Sequence, residues 1–472
     1  MDHPPLYYKL REHFPFEPTQ KQDAFFQMVS RFLALDPDSI FLLKGYAGTG
    51  KTTALAALVG LLEEIGRECV LMAPTGRAAK VMSHYSGRQA QTIHRKIYYP
   101  KKGVDAGVNF TLMPNRHREA VFIVDEASMI SDAPTDGKSY QSGSLLDDLI
   151  TYIYTGARCC LILVGDTAQL PPVGRDLSPA LDVGFLEREY GMKVYSIELD
   201  EVMRQQAESG ILENATLIRE RLSADDFDFQ FDLAGFRDIV RLTDGYAIQD
   251  AIHDSYSNLG MDETAFIVRS NKRANLYNNQ IRARILDRDS RIGTGDILMV
   301  VRNNYFWLRD DSQAGFIANG DLIEVLEIFN VRELYGFHFA RVKVRMLDYP
   351  NQIPLETLLL LDTLESPSPS LTSQQSQHLF EQVGLDYDEE PTAWKRLKMV
   401  RENEHFNALQ VKFAYAITGH KAQGGQWHTV FVERPFMPEG PDREYLRWLY
   451  TAITRATHKV FLIGFDDENF KR

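Results

Sequence analysis

Apolar residues in this chain gather in short unbroken runs. Ser39-Ile40-Phe41-Leu42-Leu43, Cys69-Val70-Leu71-Met72-Ala73, Val121-Phe122-Ile123-Val124 and Leu161-Ile162-Leu163-Val164 lie within its first 200 residues. None alternates with polar positions, which is the pattern of strands in a parallel sheet covered on both faces. After the first run, Thr52 to Glu64 places Leu55, Leu58, Val59 and Leu62 on one helical face. The order is therefore strand, helix, strand. A second region of this kind starts near Thr264-Ala265-Phe266-Ile267-Val268 and resumes from Ala408 to Phe465. Its late strands are Thr429-Val430-Phe431-Val432 and Val460-Phe461-Leu462-Ile463.

The stretch from about Gly293 to Asn407 is different. Short segments punctuated by Gly and Asn, such as Gly295-Asp296-Ile297-Leu298-Met299-Val300 and Ala318-Asn319-Gly320-Asp321, predict strands of a small β-barrel. Glu365 through Gln377 is poor in hydrophobic residues and reads as a flexible, solvated loop.

With 472 residues the chain is long enough for roughly three domains. Apolar residues at 44% and charged residues at 25% exclude a disordered tail, a collagen-like repeat and a disulfide scaffold. The net charge of −13 excludes a uniformly basic coat protein, but a local basic channel stays compatible with it. Cys69, Cys159 and Cys160 match no zinc spacing and sit in apolar runs, so they read as buried strand residues of a reduced, cytoplasmic protein. No apolar run approaches a membrane span, and the start carries no export signal.

Gly45-Tyr46-Ala47-Gly48-Thr49-Gly50-Lys51-Thr52 matches the phosphate-loop pattern, directly after a buried strand and opening a helix. In such a loop the backbone N–H groups wrap a phosphate, and the helix N-terminus adds positive charge. Lys51 is expected to reach the β- and γ-phosphates, and the Thr52 hydroxyl to ligate Mg²⁺. Asp125 and Glu126 end an apolar strand, which brings Asp125 beside the metal shell and Glu126 to the attacking water. The third strand ends in Gly165-Asp166-Thr167-Ala168-Gln169-Leu170-Pro171-Pro172-Val173-Gly174, where Gln169 is expected to sense the γ-phosphate. A GTPase is not indicated, because Asn271-Lys272-Arg273-Ala274 lacks the guanine-reading Asp. A transporter ATPase is not indicated either, since Gln423-Gly424-Gly425-Gln426 comes too late and lacks the Ser.

The order of these motifs resembles a superfamily 1 DNA helicase of the RecD/Dda branch over nearly the whole chain. Its further elements are Pro18-Thr19-Gln20-Lys21-Gln22, Ala73-Pro74-Thr75-Gly76-Arg77-Ala78-Ala79-Lys80 and Thr92-Ile93-His94-Arg95. Later come Glu201-Val202-Met203-Arg204-Gln205, His420-Lys421-Ala422-Gln423-Gly424 and Tyr450-Thr451-Ala452-Ile453-Thr454-Arg455-Ala456. The resemblance implies two RecA-like P-loop cores with parallel sheets, a small hairpin insertion and an SH3-like β-barrel insertion. It makes Gln22 an adenine reader and adds Gly45, Gly48, Thr49, Gly50, Thr53, Gln423 and Gly424 to the ATP-binding set. Arg204 and Arg455 fall where the family stabilises charge on the γ-phosphoryl group. Pro74, Thr75, Thr92, His94, Ser270, Asn271, Thr418 and His420 fall where it contacts DNA.

Between Arg67 and Arg118, ten basic residues face only Glu68 and Asp105, with Tyr85, Tyr98, Tyr99 and Phe110 interleaved. Cations for a phosphate backbone and rings for bases suit single-stranded nucleic acid, although a solvated basic face has the same composition. Residues 97–119 read as a hairpin, either the duplex-splitting pin of the resemblance or a plain surface turn.

The expectation is a monomeric, ATP- and Mg²⁺-dependent helicase moving 5′ to 3′ on single-stranded and tailed duplex DNA in repair, recombination or replication. Single-strand-binding or recombination proteins are its expected partners, and no membrane is. The expected units are a first core over 1–200, a linker and second-core start over 201–292, the barrel insert over 293–407, and the second-core remainder over 408–472. A translocase that does not unwind and an ATP-switched nucleic-acid binder remain as alternatives.

Overall fold

The computed structural model describes residues 5–35, 38–101, 108–133, 138–139, 143–202, 209–308, 316–349 and 351–471. In chain order the first third holds strands β1 (Ser39–Gly45), β2 (Cys69–Ala73), β3 (Gln91–Thr92), β4 (Tyr98–Lys101), β5 (Val108–Leu112), β6 (Val121–Val124), β7 (Lys138–Ser139), β8 (Cys160–Gly165) and β9 (Lys193–Leu199). Six of them form one parallel sheet in the order β3-β2-β6-β8-β1-β9. The unbroken apolar runs are its central strands: β1, β6 and β8 are buried along almost their full length. Helices cover both faces, which is why no polar alternation survives in these strands.

The expected hairpin is present. β4 pairs antiparallel with β5 from Tyr98 opposite Leu112 to Lys101 opposite Asn109, and β7 adds a short parallel edge. Its tip, 102–107, lies outside the described residues. Tyr98 is buried and donates its hydroxyl to Asp148 at 2.8 Å, while Tyr99 stands exposed.

The second sheet is also parallel. It uses β10 (Ile239–Leu242), β11 (Thr264–Val268), β17 (Ala416–Thr418), β18 (Trp427–Glu433) and β19 (Ala456–Ile463), ordered β10-β19-β18-β11-β17. Between β11 and β17 the chain leaves to build a closed five-stranded barrel: β12 (Ile297–Val300), β13 (Leu322–Leu334), β14 (Phe337–Met346), β15 (Leu355–Leu360) and β16 (Leu409–Phe413). The barrel therefore needs 409–413, beyond Asn407, to close. Its interior residues Leu298, Val325, Val342 and Leu359 share one apolar cluster with Phe266 and Phe431 of the second sheet.

The loop expected over Glu365 to Gln377 turns helical at Ser373 and runs to Leu385. Thr372 and Gln375 form a capping box there, and Leu379 and Val383 pack against Phe337 and Phe339 of the barrel hairpin. Sparse apolar residues at helical spacing sufficed because the barrel supplies the other half of the cluster.

A buried carboxylate roots the barrel in the second core. Asp296, fully buried at the start of β12, accepts from Arg282 Nε at 3.1 Å, Arg282 Nη2 at 2.9 Å and Arg288 Nη1 at 2.7 Å. The Tyr415 hydroxyl and the Gly293 N–H complete its shell at 3.0 and 2.7 Å. Asp296→Ala leaves the buried Arg282 without its counter-ion. It should lower unfolding free energy by about 3–5 kcal/mol, read from the urea midpoint at unchanged slope.

Candidate nucleotide and strand sites

The loop after β1 is shaped by glycine. Gly48 and Gly50 have φ of 76° and 78°, left-handed values that favour glycine, and Gly50 caps the helix Lys51–Glu64 without a side-chain bond. At Gly45 a Cβ would sit 2.8 Å from Lys51 Cγ, so only glycine lets the lysine fold back over the loop. Lys51 Nζ donates to the carbonyls of Gly45 and Tyr46, the second at 3.1 Å, and lies 3.9 Å from Asp166. Thr52 and Thr53 follow in the first helical turn. Gln22 is fully buried and donates to the Thr49 carbonyl at 2.9 Å.

Neighbouring strands bring the other groups to this loop. In the order β6-β8-β1, the C-terminal ends of β6 and β8 lie about 5–10 Å to one side of it. Asp125 accepts from the Tyr85 hydroxyl and from the Glu126 N–H, both at 2.8 Å. Glu126 has φ 54° and ψ 38°, a left-handed conformation costly for a glutamate and typical of functional sites. Burial raises its carboxyl above the ordinary value, and Arg455 partly opposes that shift. Asp166, 2% exposed, accepts from the Ala168 N–H at 2.9 Å. The buried Gln169 Oε1 has no hydrogen-bond partner among the described residues.

The second core closes the same cleft. The helix Arg443–Ile453 ends just before Arg455, whose Nη1 stands 3.7 Å from Glu126 Oε1 and 3.3 Å from the Gly425 carbonyl. Thr451 Oγ1 accepts from the Leu170 N–H at 2.9 Å, and Gln423 donates to the Leu170 carbonyl at 2.6 Å. Tyr450 reaches both Ala47 and Asp166. Arg204 lies outside the described residues. Asp166, Tyr450, Tyr85 and Thr451 were absent from the candidate set. Asp166, Tyr450 and Thr451 stood inside quoted motifs, but only their cross-core partners single them out.

Pro74, Thr75, Thr92 and His94 are brought together. They line a cavity of about 200 Å³ whose far wall is Asn303, Phe316, Ala318 and Asn319 of the barrel insert. Thr75 and Thr92 also cap helices, accepting from Ala78 N and Arg95 N at 3.2 Å. Gly424 is placed against Thr75 and Ala78, where an added Cβ would stand 2.7 Å from Ala78 Cβ. On the second core, Asn271 and Thr418 line a small recess with Lys412 and Lys421. Burial lowers both lysine amines to about 8, Lys412 with a further push from Lys421. Ser270 caps the helix Asn271–Arg284, and His420 is exposed on the turn after Thr418.

Arg95 bolts the cavity's two walls together. It donates to the Phe316 carbonyl at 2.8 Å, bonds the Tyr349 hydroxyl, stacks 4.2 Å over that ring and lies 3.4 Å from Asp321. Asp321 is fully buried, and burial pushes its carboxyl up to about 7 against the pull of Arg95. Its Oδ1 lies 2.6 Å from where a Cβ on Gly76 would be, so glycine permits the close approach.

Two family models match the chain. An AAA domain covers residues 21–232, and a UvrD-like helicase C-terminal domain covers 413–463. The ATP-dependent RecD2 DNA helicase of Deinococcus radiodurans is 34% identical over 180 residues, 37% of this chain and 21% of that protein. This chain thus matches about a fifth of that relative's length. The ATP-dependent DNA helicase dda of Enterobacteria phage T4 is 24% identical over 440 residues, 89% of this chain and 93% of that protein. Among solved structures, a Bacteroides Pif1 helicase in complex with ADP-AlF3 and ssDNA aligns over 97% of this chain and 95% of that one. Its identity is 16% and its TM-score 0.47.

Arg95→Ala lets the buried Asp321 take up a proton and should destabilise the protein by about 1–3 kcal/mol near pH 7, and by more as the pH rises. Adding Asp321→Ala should remove that extra loss at high pH, since no buried acid then remains; chemical denaturation of both variants across pH measures the difference.

Proposed function

Because the chain belongs to the RecD/Dda branch of the superfamily 1 helicases, we propose that it couples ATP hydrolysis to 5′-to-3′ movement on single-stranded DNA and to strand separation. One observation carries this reading. Arg455 of the second core stands 3.7 Å from Glu126 of the first, on a carboxyl that also feels the charges of Asp125 and Lys51.

The residues fit a nucleoside triphosphate. Lys51 spends its charge on two neutral loop carbonyls, an arrangement that a phosphate readily replaces because its oxygens carry full negative charge. The unpartnered Gln169 Oε1 is a buried acceptor that phosphate oxygens cannot satisfy but an O–H of the attacking water can. Glu126 holds or deprotonates the attacking water, and its raised carboxyl makes it a better base than a solvated glutamate. Arg455 neutralises charge that develops on the γ-phosphoryl oxygens. Thr52 and Asp125 are the groups that would hold Mg²⁺, which supplies further charge neutralisation when bound. Gln22 supports the loop from behind and is our candidate for reading adenine. Arg204 keeps its proposed role beside Arg455 on the resemblance alone.

The strand would run through the cavity between Pro74, Thr75, Thr92 and His94 and the barrel, then over Ser270, Asn271, Thr418 and His420. Binding of ATP draws the cores together and hydrolysis lets them part, so the grip alternates. The hairpin built on β4 and β5 is the proposed pin. The resemblance supports a cytoplasmic monomer working beside single-strand-binding or recombination proteins, with unit boundaries at 200 and 292 and the third moved from 407 to after Phe413, where β16 closes the barrel. No helix among the described residues is long and apolar enough to cross a membrane.

Duplexes tailed at 5′ or 3′ test the reading with ATP and Mg²⁺. Strand release from the 5′-tailed duplex alone is expected; release from neither, with ATPase still stimulated by single strands, would mean translocation without unwinding. Lys51→Ala should cut ATP turnover by about 10²–10³-fold while single-strand affinity stays. Retained turnover would overturn the assignment of the loop. The acid limb of the kcat–pH profile should lie above the usual carboxylate range. In Arg455→Ala it should move further up as the rate falls, because the opposing positive charge is gone.

A further inference from the structure

Tyr450 carries the only hydroxyl among the described residues that bonds the phosphate loop and Asp166 together. It sits in the second-core helix Arg443–Ile453 with 1% of its surface exposed. Its oxygen accepts the Ala47 N–H at 2.8 Å and donates its proton to Asp166 Oδ2 at 2.7 Å. That same Oδ2 lies 3.9 Å from Lys51 Nζ. A phenylalanine would fill this space equally well. Burying a phenol oxygen is unfavourable unless it is bonded, and here both of its bonds go to the other core.

The neighbouring contacts give the arrangement a direction. Thr451 Oγ1 accepts from Leu170 N, two residues after Ala168, whose N–H bonds Asp166. Arg455 follows Tyr450 just past the end of the helix and faces Glu126 at 3.7 Å. Lys51 now divides its ammonium between two loop carbonyls and the vicinity of Asp166. When Lys51 turns to a phosphate, Asp166 loses part of that cation and depends more on the Tyr450 proton. The helix that leads into Arg455 is then held more tightly to the first core.

Building on the function proposed above, we infer that Tyr450 is a positioning residue. Its hydroxyl transmits the state of the phosphate loop to the second core and so sets when Arg455 is in place. It touches no reacting atom; it acts through Asp166 and Ala47. Burial also keeps the phenol protonated far above its ordinary range, so it stays a donor at every working pH.

Tyr450→Phe in the full chain tests this. The expected result is a DNA-stimulated kcat lower by about tenfold or more, a KM for ATP changed much less, and fewer base pairs separated per ATP hydrolysed. A packing role alone would shift the denaturation midpoint and leave the base pairs per ATP unchanged. A kcat within twofold of the parent, or a lower kcat at an unchanged number of base pairs per ATP, overturns the inference. Should Tyr450→Phe fail to fold, Asp166→Asn removes the charged acceptor while keeping its shape, and the ratio of base pairs to ATP decides in the same way. The parent protein separates the two readings: absent ATP turnover there refutes the function, whereas the variant-to-parent comparison refutes only the role of Tyr450.

Discussion

The seam where the helix Arg443–Ile453 lies against the ends of β1 and β8 governs the rest of this molecule. Parallel sheets present their loops at one edge, and the order β6-β8-β1 lines up an acidic pair, a buried aspartate and a phosphate loop there. None of these groups is complete by itself. Asp166 needs the Tyr450 proton, the Leu170 N–H needs Thr451, and Glu126 has its nearest cation in Arg455. Buried polar groups that lean on another core are satisfied only when the cores are close. Their satisfaction therefore reports on the distance between the cores, which is what a motor driven by a nucleotide requires.

The barrel answers to the same logic through two buried carboxylates. Asp296 fixes its first strand to the second core through Arg282 and Arg288. Asp321 fixes its far side to the first core through Arg95. Such pairs add little net stability over an apolar contact, but losing one partner is costly, so they specify a docking geometry. The cavity lined by Thr75, Thr92 and His94 owes its far wall to this second attachment. A strand lying there would be enclosed on the side facing the barrel, and the grip would follow any movement of the second core.

Much of this was legible along the sequence because it is local. Unbroken apolar runs became β1, β2, β6 and β8, and glycine spacing became a loop whose φ angles need glycine. The hairpin around residues 97–119 and the barrel were expected from turn residues and the family resemblance, and both are present. What escaped depends on partners far away in the chain. The helix Ser373–Leu385 looked like a loop because its apolar half is supplied by Phe337 and Phe339. Strand β16 closes the barrel from beyond Asn407 because closure is a pairing with β12 and β15, which no local pattern encodes. Arg95 passed as one of ten basic residues on a track, yet its bonds are to Phe316, Tyr349 and Asp321 of the insert. Tyr450 and Asp166 are 284 positions apart, and only the fold makes them neighbours.

The distance between the two cores during ATP turnover is the most direct test of this account. A donor dye on the helix Pro5–His13 and an acceptor on Gly245–Leu259 report it without touching the cleft. With single-stranded DNA present, the account predicts one distance with ADP, a shorter one with a non-hydrolysable ATP analogue, and alternation between them under turnover. Sustained hydrolysis at a constant distance would contradict it.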